Sequence, residues 1–193
     1  NLNANLNVQY QIIKGLSINL NGGYGYYDRA EQRIYPKTFY NPASNIGSER
    51  SSLRTGSMVN RNWILEPQLN YEKKWGKHTM NALLGSSFQD QTSKNLTLLG
   101  TKFPSDELIY NIASAATITV ASSYQFHYRY QALYSRLNYS YDEKYFLNLT
   151  ARRDGSSRFG EDKRFGNFGA IGGAWIFSKE QFMENVSWLS DGK

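Results

Sequence analysis

Cysteine is absent from the 193 residues, which excludes a disulfide framework and thiolate chemistry. Long hydrophobic runs are absent as well: no stretch of about 18 apolar residues occurs, so no helix of this chain is able to cross a membrane. Histidine is scarce. His78 and His127 are the two present and lie far apart on different predicted strands, which gives no basis for a metal pair or a Ser-His-Asp triad. No motif places a carboxylate pair or an activated nucleophile, so the chain does not read as an enzyme and calls for no cofactor. Long basic runs are missing too. The formal charge is +6 and the pI about 9.4, but Lys and Arg are interspersed with Asp and Glu throughout, which allows a polyanionic partner without specifying one. No signal peptide opens the chain. Its first residues already belong to a strand pattern, and the sequence reads as a piece of a longer chain.

What is present is parity. Asn1, Asn3, Asn5, Asn7, Gln9 and Gln11 occupy the odd positions of the opening stretch, and Leu2, Ala4, Leu6, Val8, Tyr10 and Ile12 the even ones. Side chains of a strand alternate between two faces, so this is a strand with an amide face and an apolar face. A turn signal at Lys14-Gly15 leads to a second strand, with Leu16, Ile18, Leu20, Tyr24 and Tyr26 on one parity, and the two make a hairpin. Residues 61 to 72 repeat the pattern, with Ile64 the one apolar residue on the polar side. Beyond a turn around Lys74 to Lys77 come Met80, Ala82, Leu84 and Phe88 on a common face, with Leu83 the exception. The stretch from Tyr124 to Tyr141 changes the parity of its apolar residues midway, which predicts a bulge near Ala132. A turn at Asp142 to Lys144, a strand from Tyr145 and a seventh strand from about Gly166 to Phe177 complete the series. Gly22-Gly23 and Gly172-Gly173 fall inside strands, where glycine marks close packing or a bend.

The connections alternate in length. Turns near 14, 75 and 143 are short, links over roughly 28 to 58 and 90 to 123 are long and polar, and that over 154 to 165 is intermediate. The fold class is therefore all-β, an antiparallel up-and-down meander of about seven long strands with one plain rim and one elaborated rim. Strands of a soluble sandwich usually run about 5 to 6 residues, whereas a tilted strand crossing a membrane needs about 9 to 11. These run to about ten or more. Aromatic residues, 15 Tyr and 4 Trp, also cluster at strand ends, where the girdles of a transmembrane barrel belong, although any β-rich protein is rich in tyrosine. The reading is a part of a large transmembrane β-barrel, with lipid against the apolar face. Asn and Gln would then line the lumen, without the desolvation cost of a buried charge.

Residues 135 to 183 carry a resemblance. The Leu137-Asn138-Tyr139 strand, the turn before Tyr145, the run Arg152-Arg153-Asp154-Gly155-Ser156-Ser157 with Phe159-Gly160, and Trp175 before Phe177-Ser178 resemble the barrel of SusC/RagA-type TonB-dependent outer-membrane transporters of Bacteroidetes. Leu83-Leu84-Gly85 extends the likeness upstream. The resemblance implies a barrel of 22 strands in the bacterial outer membrane, plugged by an N-terminal domain. It further implies active import of large nutrients such as glycans or peptides, energised through TonB and capped by a SusD-like surface lipoprotein. Seven strands cannot close such a barrel, so residues 1–193 are expected to be a partial barrel domain without plug or TonB box, in contact with outer-membrane lipid. The alternative function class is a soluble extracellular β-sandwich that binds glycans through aromatic loops.

Arg152, Arg153, Asp154 and Gly155 form the one charged cluster that invites a site. With Arg158, Lys163 and Arg164 it could contact phosphate or nucleic acid, but Asp154, Glu161 and Asp162 offset the charge and a loop held by Arg-carboxylate pairs is the simpler reading, with no nucleic-acid partner. On that reading Asp154-Gly155 supplies a turn, Arg152 points into the lumen and Arg153 sits at the strand end, making the loop a structural clasp. Ser178 to Gln181 reads as a helix start with a capping box, and Trp188 with Ser190-Asp191-Gly192 returns the chain toward a further strand.

Overall fold

A computed structural model describes residues 1–45, 47–183 and 192. Seven strands follow one another: β1 (Leu2–Ile13), β2 (Leu16–Tyr35), β3 (Ser52–Trp75), β4 (His78–Thr101), β5 (Thr117–Tyr141), β6 (Tyr145–Ser156) and β7 (Phe165–Trp175). They form one sheet in chain order. The meander matches the sequence pattern, but β2 to β5 run 20 to 25 residues each, well past the periodic segments. The long links shrink accordingly to 36–51 and 102–116, built of short 3-10 turns. Polar strand extensions lack the apolar alternation that marks a half-buried face, which is why they read as loop.

Two further expectations change. On its β6 side β5 pairs without a bulge, from Tyr130 opposite Ser156 to Tyr141 opposite Tyr145. The parity change is instead a change of face: Tyr128, Tyr130 and Tyr134 lie on the polar side of the sheet. Nor does Ser178 cap a helix. Phe177–Lys179 and Gln181–Met183 are separate 3-10 turns, the first without a side-chain cap, and Ser178 Oγ donates to the Gly192 carbonyl at 3.3 Å. Trp188, Ser190 and Asp191 lie outside the described residues.

Contacts divide the chain into two units. The first comprises Asn1–Asn3, Tyr24–Asn62 and Gln91–His127. It holds the long links and a small dry core of Leu53, Phe103 and Ile109, flanked by Ile34, Ile112 and Ala115. Burying each of these large side chains contributes about 1.5–3 kcal/mol. Hydrogen bonds join one link to the other: Ser51 Oγ donates to Asp106 Oδ1 at 2.6 Å and Ser48 Oγ to the Pro104 carbonyl at 3.1 Å.

The second unit comprises Ala4–Gly23, Trp63–Asp90 and Tyr128–Lys193. Its apolar parity is exposed rather than buried: Leu6, Val8, Tyr10, Ile12, Leu84, Leu133, Leu147 and Ile171 all stand open. A row of stacked rings crosses the same face near the short turns. Trp75 lies over His78 at 5.2 Å, His78 meets Tyr141 at 4.9 Å, and Tyr145 stacks on Trp175 at 6.4 Å with planes within 4°. The turns themselves are stapled to neighbouring strands. Gly15, at φ +84°, brings its backbone so close to the Glu72 carbonyl that a Cβ there would lie 2.2 Å from the oxygen, and Glu72 N donates to Gly15 O at 2.7 Å. Ile64, the apolar exception of β3, lies across Gly23, where the missing side chain leaves room for it.

Candidate functional site

The site begins with register. In β6 and its neighbours, Tyr134 stands opposite Arg152, and Arg152 opposite Phe168; Ala132 faces Asp154. Because paired residues share a face, Arg152 and Asp154 project on the polar side with Tyr130 and Tyr134, while Arg153 and Gly155 project on the apolar side with Leu133 and Phe165. The four residues of the charged cluster therefore divide two and two. Asp154-Gly155 is also strand and not turn, as both pair within β6; the turn comes after Ser156.

On the polar face Arg152 is held on three sides. Its Nε donates to Asp154 Oδ1 at 2.6 Å, another guanidinium N–H donates to the Tyr130 hydroxyl, and that hydroxyl donates to Asp154 Oδ1 at 3.2 Å. The guanidinium also stands 5.7 Å over the Tyr134 ring, a cation-π contact worth about 0.5–1 kcal/mol when exposed. Tyr134 in turn accepts from Gln68 Nε2 at 3.0 Å and lies flat across Gly85, where an added Cβ would sit 2.5 Å from the ring. Glycine at 85 is thus required by the ring above it. The result is a continuous track from β3 to β6: Gln68, Tyr134 over Gly85, Arg152, then Tyr130 and Asp154. Nearby, Ser87 Oγ donates to Glu66 Oε1 at 2.9 Å, and Arg158 stacks 4.4 Å above Tyr128. A cavity of about 480 Å³ opens among Tyr128, Tyr130, Asp154, Phe159 and Phe168.

Sequence reasoning found Arg152 and Asp154 but missed Tyr130, Tyr134 and Gln68. Their signal was the run of tyrosines on the polar parity of β5, which the bulge reading absorbed. A face made of amides, ringed hydroxyls and paired charges is able to line a wet passage and to offer both stacking and hydrogen bonding to a polar solute. Among the described residues no three His, Asp or Glu side chains gather closely enough to hold a metal.

The opposite face decides the class. The described residues form one sheet, and its apolar side chains stand exposed on one face. An exposed aliphatic face bordered by an aromatic row is the wall of a transmembrane β-barrel. No family model matches the chain. Curated relatives do: TonB-dependent receptor P3 of Formosa agariphila is 28% identical over 191 residues, covering 98% of this chain and 19% of the relative. TonB-dependent receptor P26 of the same organism is 31% identical over 138 residues, or 70% of this chain and 14% of the relative. TonB-dependent receptor SusC of Bacteroides thetaiotaomicron is 43% identical over 60 residues, 31% of this chain and 6% of the relative. Among solved structures, that of the RagAB peptide transporter superposes with a TM-score of 0.81 at 24% identity, over 98% of this chain and 21% of that one, which shows a common fold. These likenesses support a fragment of a SusC/RagA-type TonB-dependent receptor, with the fold of a segment of the outer-membrane barrel. The chain spans about a fifth or less of the curated relatives it matches.

Proposed function

We propose that residues 1–193 are part of the barrel domain of an outer-membrane active transporter that imports large nutrients such as glycans or peptides. The plug and the remaining strands lie elsewhere in the protein, TonB supplies the energy, and a SusD-like surface lipoprotein works with it. The observation that carries the reading is the pairing of an exposed apolar face with a Tyr-, Arg- and amide-lined opposite face, in a chain whose relatives are named TonB-dependent receptors. The links at 36–51 and 102–116 then face the cell exterior and the turns at Lys14-Gly15 and Glu143-Lys144 the periplasm.

Within that wall, Arg152, Arg153, Asp154 and Gly155 act as a structural clasp in which Arg152 and Asp154 tie β6 to Tyr130 of β5, while Arg153 and Gly155 seat Phe165 on the other face. The test is growth of cells lacking the complete receptor on a panel of oligosaccharides and peptides. Loss of uptake of one nutrient, reproduced by deleting TonB and restored by the intact gene, is the expected result. Unchanged uptake across the panel with and without TonB would overturn the transport reading. In the restored strain Arg152→Ala and Asp154→Ala should each lower barrel heat stability while substrate affinity stays within a few-fold; the reverse pattern would remove the clasp.

A further inference from the structure

The apolar face is not uniformly aliphatic. Around β5 and β6, on the parity that carries Leu133 and Leu137, it also carries Arg129 and Arg153. Arg129, joined by Arg164 from the link before β7, lines a groove of about 480 Å³ walled by Trp63, Phe88 and Phe165. The groove continues past Phe88, Gln131 and Phe165 into a second depression of about 290 Å³ beside Leu133 and Arg153. Gly155 makes the floor: a Cβ there would lie 2.6 Å from the Phe165 ring, so only glycine lets that ring lie down. Arg153 stands 4.9 Å over the same ring and has no carboxylate partner among the described residues. Arg129 pairs with Asp90 at 3.1 Å and Arg164 with Glu161 at 3.3 Å. Together the groove and its continuation are lined by three guanidinium groups, Arg129 and Arg164 in the first and Arg153 in the second, with Asp90 and the loop carboxylate Glu161 against them, and the local charge is positive.

Height along the barrel explains why charge is tolerated on a lipid-facing parity. From Tyr145 in the aromatic row to Arg153 there are eight residues, roughly 26 Å along a strand and about 20 Å along the membrane normal at a tilt of about 40°. An outer-membrane apolar band is about 25 Å tall. Arg153 thus reaches the far interface, and Arg129, which lies a further turn of pleats along the ladder, stands among head groups. Arginine matches phosphate oxygens with a planar fork of donors, and the aromatic trough below it is shaped for a hydrocarbon chain.

We propose that this groove binds one phosphorylated lipid of the outer leaflet, its phosphate held by Arg153 with Arg129 and Arg164 and an acyl chain laid between Phe88, Phe165 and Leu133. The occupant follows from charge complementarity joined to position: apolar walls alone would take any chain, but guanidinium groups at the mouth select an anionic head. The proposal stands on the outer-membrane placement of the barrel and is independent of its cargo.

The test uses the complete receptor purified in a neutral detergent, with monophosphorylated lipid A and its enzymatically dephosphorylated form as probes, read by native mass spectrometry. The intact protein should retain the phosphorylated probe at least ten-fold better. Arg153→Gln and Arg164→Gln, both exposed positions, should each reduce that preference several-fold and abolish it together, whereas Arg136→Gln on the polar parity should leave it unchanged. Heat-modifiable gel mobility checks that each variant is a folded barrel, and uptake assayed in parallel separates loss of the lipid site from failure of the transport reading. Equal retention of the two probes, no retention of either, or a preference that survives the double variant would each overturn the proposal.

Discussion

Leu53 and Phe103 are sealed to 0% and 1% exposure in the unit that holds the long links, whereas Leu133 and Ile171 stand 56% and 77% exposed in the unit that holds the short turns. The residue types are alike; the solvent is not. On the proposed placement water surrounds the links, so the apolar side chains there and at the start of β3 must find one another, and they do so in a core of three large residues with Ser51 and Ser48 bridging the two links. The strands of the second unit meet lipid, where an aliphatic side chain gains nothing by turning inward, and cohesion comes from the ladder, the stacked rings and the polar track between β3 and β6. A protein with one interior rule throughout would show the same burial in both places.

The largest effect should come from breaking the first half of that comparison. Phe103→Ala empties a closed core, and truncations of this kind cost about 3–5 kcal/mol. In the complete receptor on intact cells, added protease should then cut within 36–51 and 102–116 much faster, while heat-modifiable mobility of the barrel persists. Leu133→Ala should leave those links protected. Protection unchanged in Phe103→Ala would mean that the links are held by something other than their own core.

Breaking the second half calls for a charge. Arginine at the midplane of a barrel's lipid face costs about 2–4 kcal/mol, and Leu149, four residues beyond Tyr145, is near that level. Leu149→Arg should lower folding stability by that amount in denaturant titrations in lipid vesicles, and Asn148→Arg, one residue away on the other parity, by far less. Equal costs at the two positions would invert or erase the assignment of faces.

Why the faces were legible from sequence and the site was not follows from these same residues. Alternation over Leu2 to Ile12 or Tyr145 to Ala151 is strictly local information, since a strand writes its two environments into odd and even positions. Strand ends past the apolar band carry no such contrast, so β2 to β5 read as shorter than they are. The track Gln68, Tyr134, Gly85 and Arg152 joins residues up to 84 positions apart through cross-strand register, and register between distant strands is not written in any one of them. Tyr130 and Tyr134 were visible as tyrosines; that they share a face with Arg152 required the pairing of β5 with β6. Gly85 is the clearest case, a residue noticed only as part of a resemblance until the ring lying over it gave the reason.

That reason makes a prediction of intermediate size. Gly85→Ala places a methyl carbon where the Tyr134 ring lies, and overpacking of this sort costs about 1–3 kcal/mol. Tyr134→Ala removes the obstacle together with the contacts to Gln68 and Arg152. The double variant should therefore be less destabilised than the two single losses added together, a coupling that a thermodynamic cycle measures directly. Simple additivity would show that the ring moves aside freely and that glycine at 85 serves some other end.

The smallest effect concerns the short-turn rim, where Glu180 gathers the ends of β6 and β7. Its carboxylate accepts from the Tyr145 hydroxyl at 2.6 Å and from the Trp175 indole N–H at 3.2 Å, and Lys144 Nζ stands 3.2 Å away. Those partners, the tyrosine first and the tryptophan next, hold the carboxyl below its ordinary value of 4.5. A carboxyl whose pKa is depressed by folding contributes stability that is fully present above its unfolded pKa and is lost as pH falls through the folded one. Glu180→Gln should accordingly melt slightly below the parent at pH 7, with the difference shrinking in acid below pH 4.5 and weakening in high salt, as befits a half-buried group still open to solvent at the rim. Parallel melting curves from pH 7 to pH 3 would show that Glu180 contributes through its shape alone, leaving the stacked Tyr145 and Trp175 rings to hold this rim.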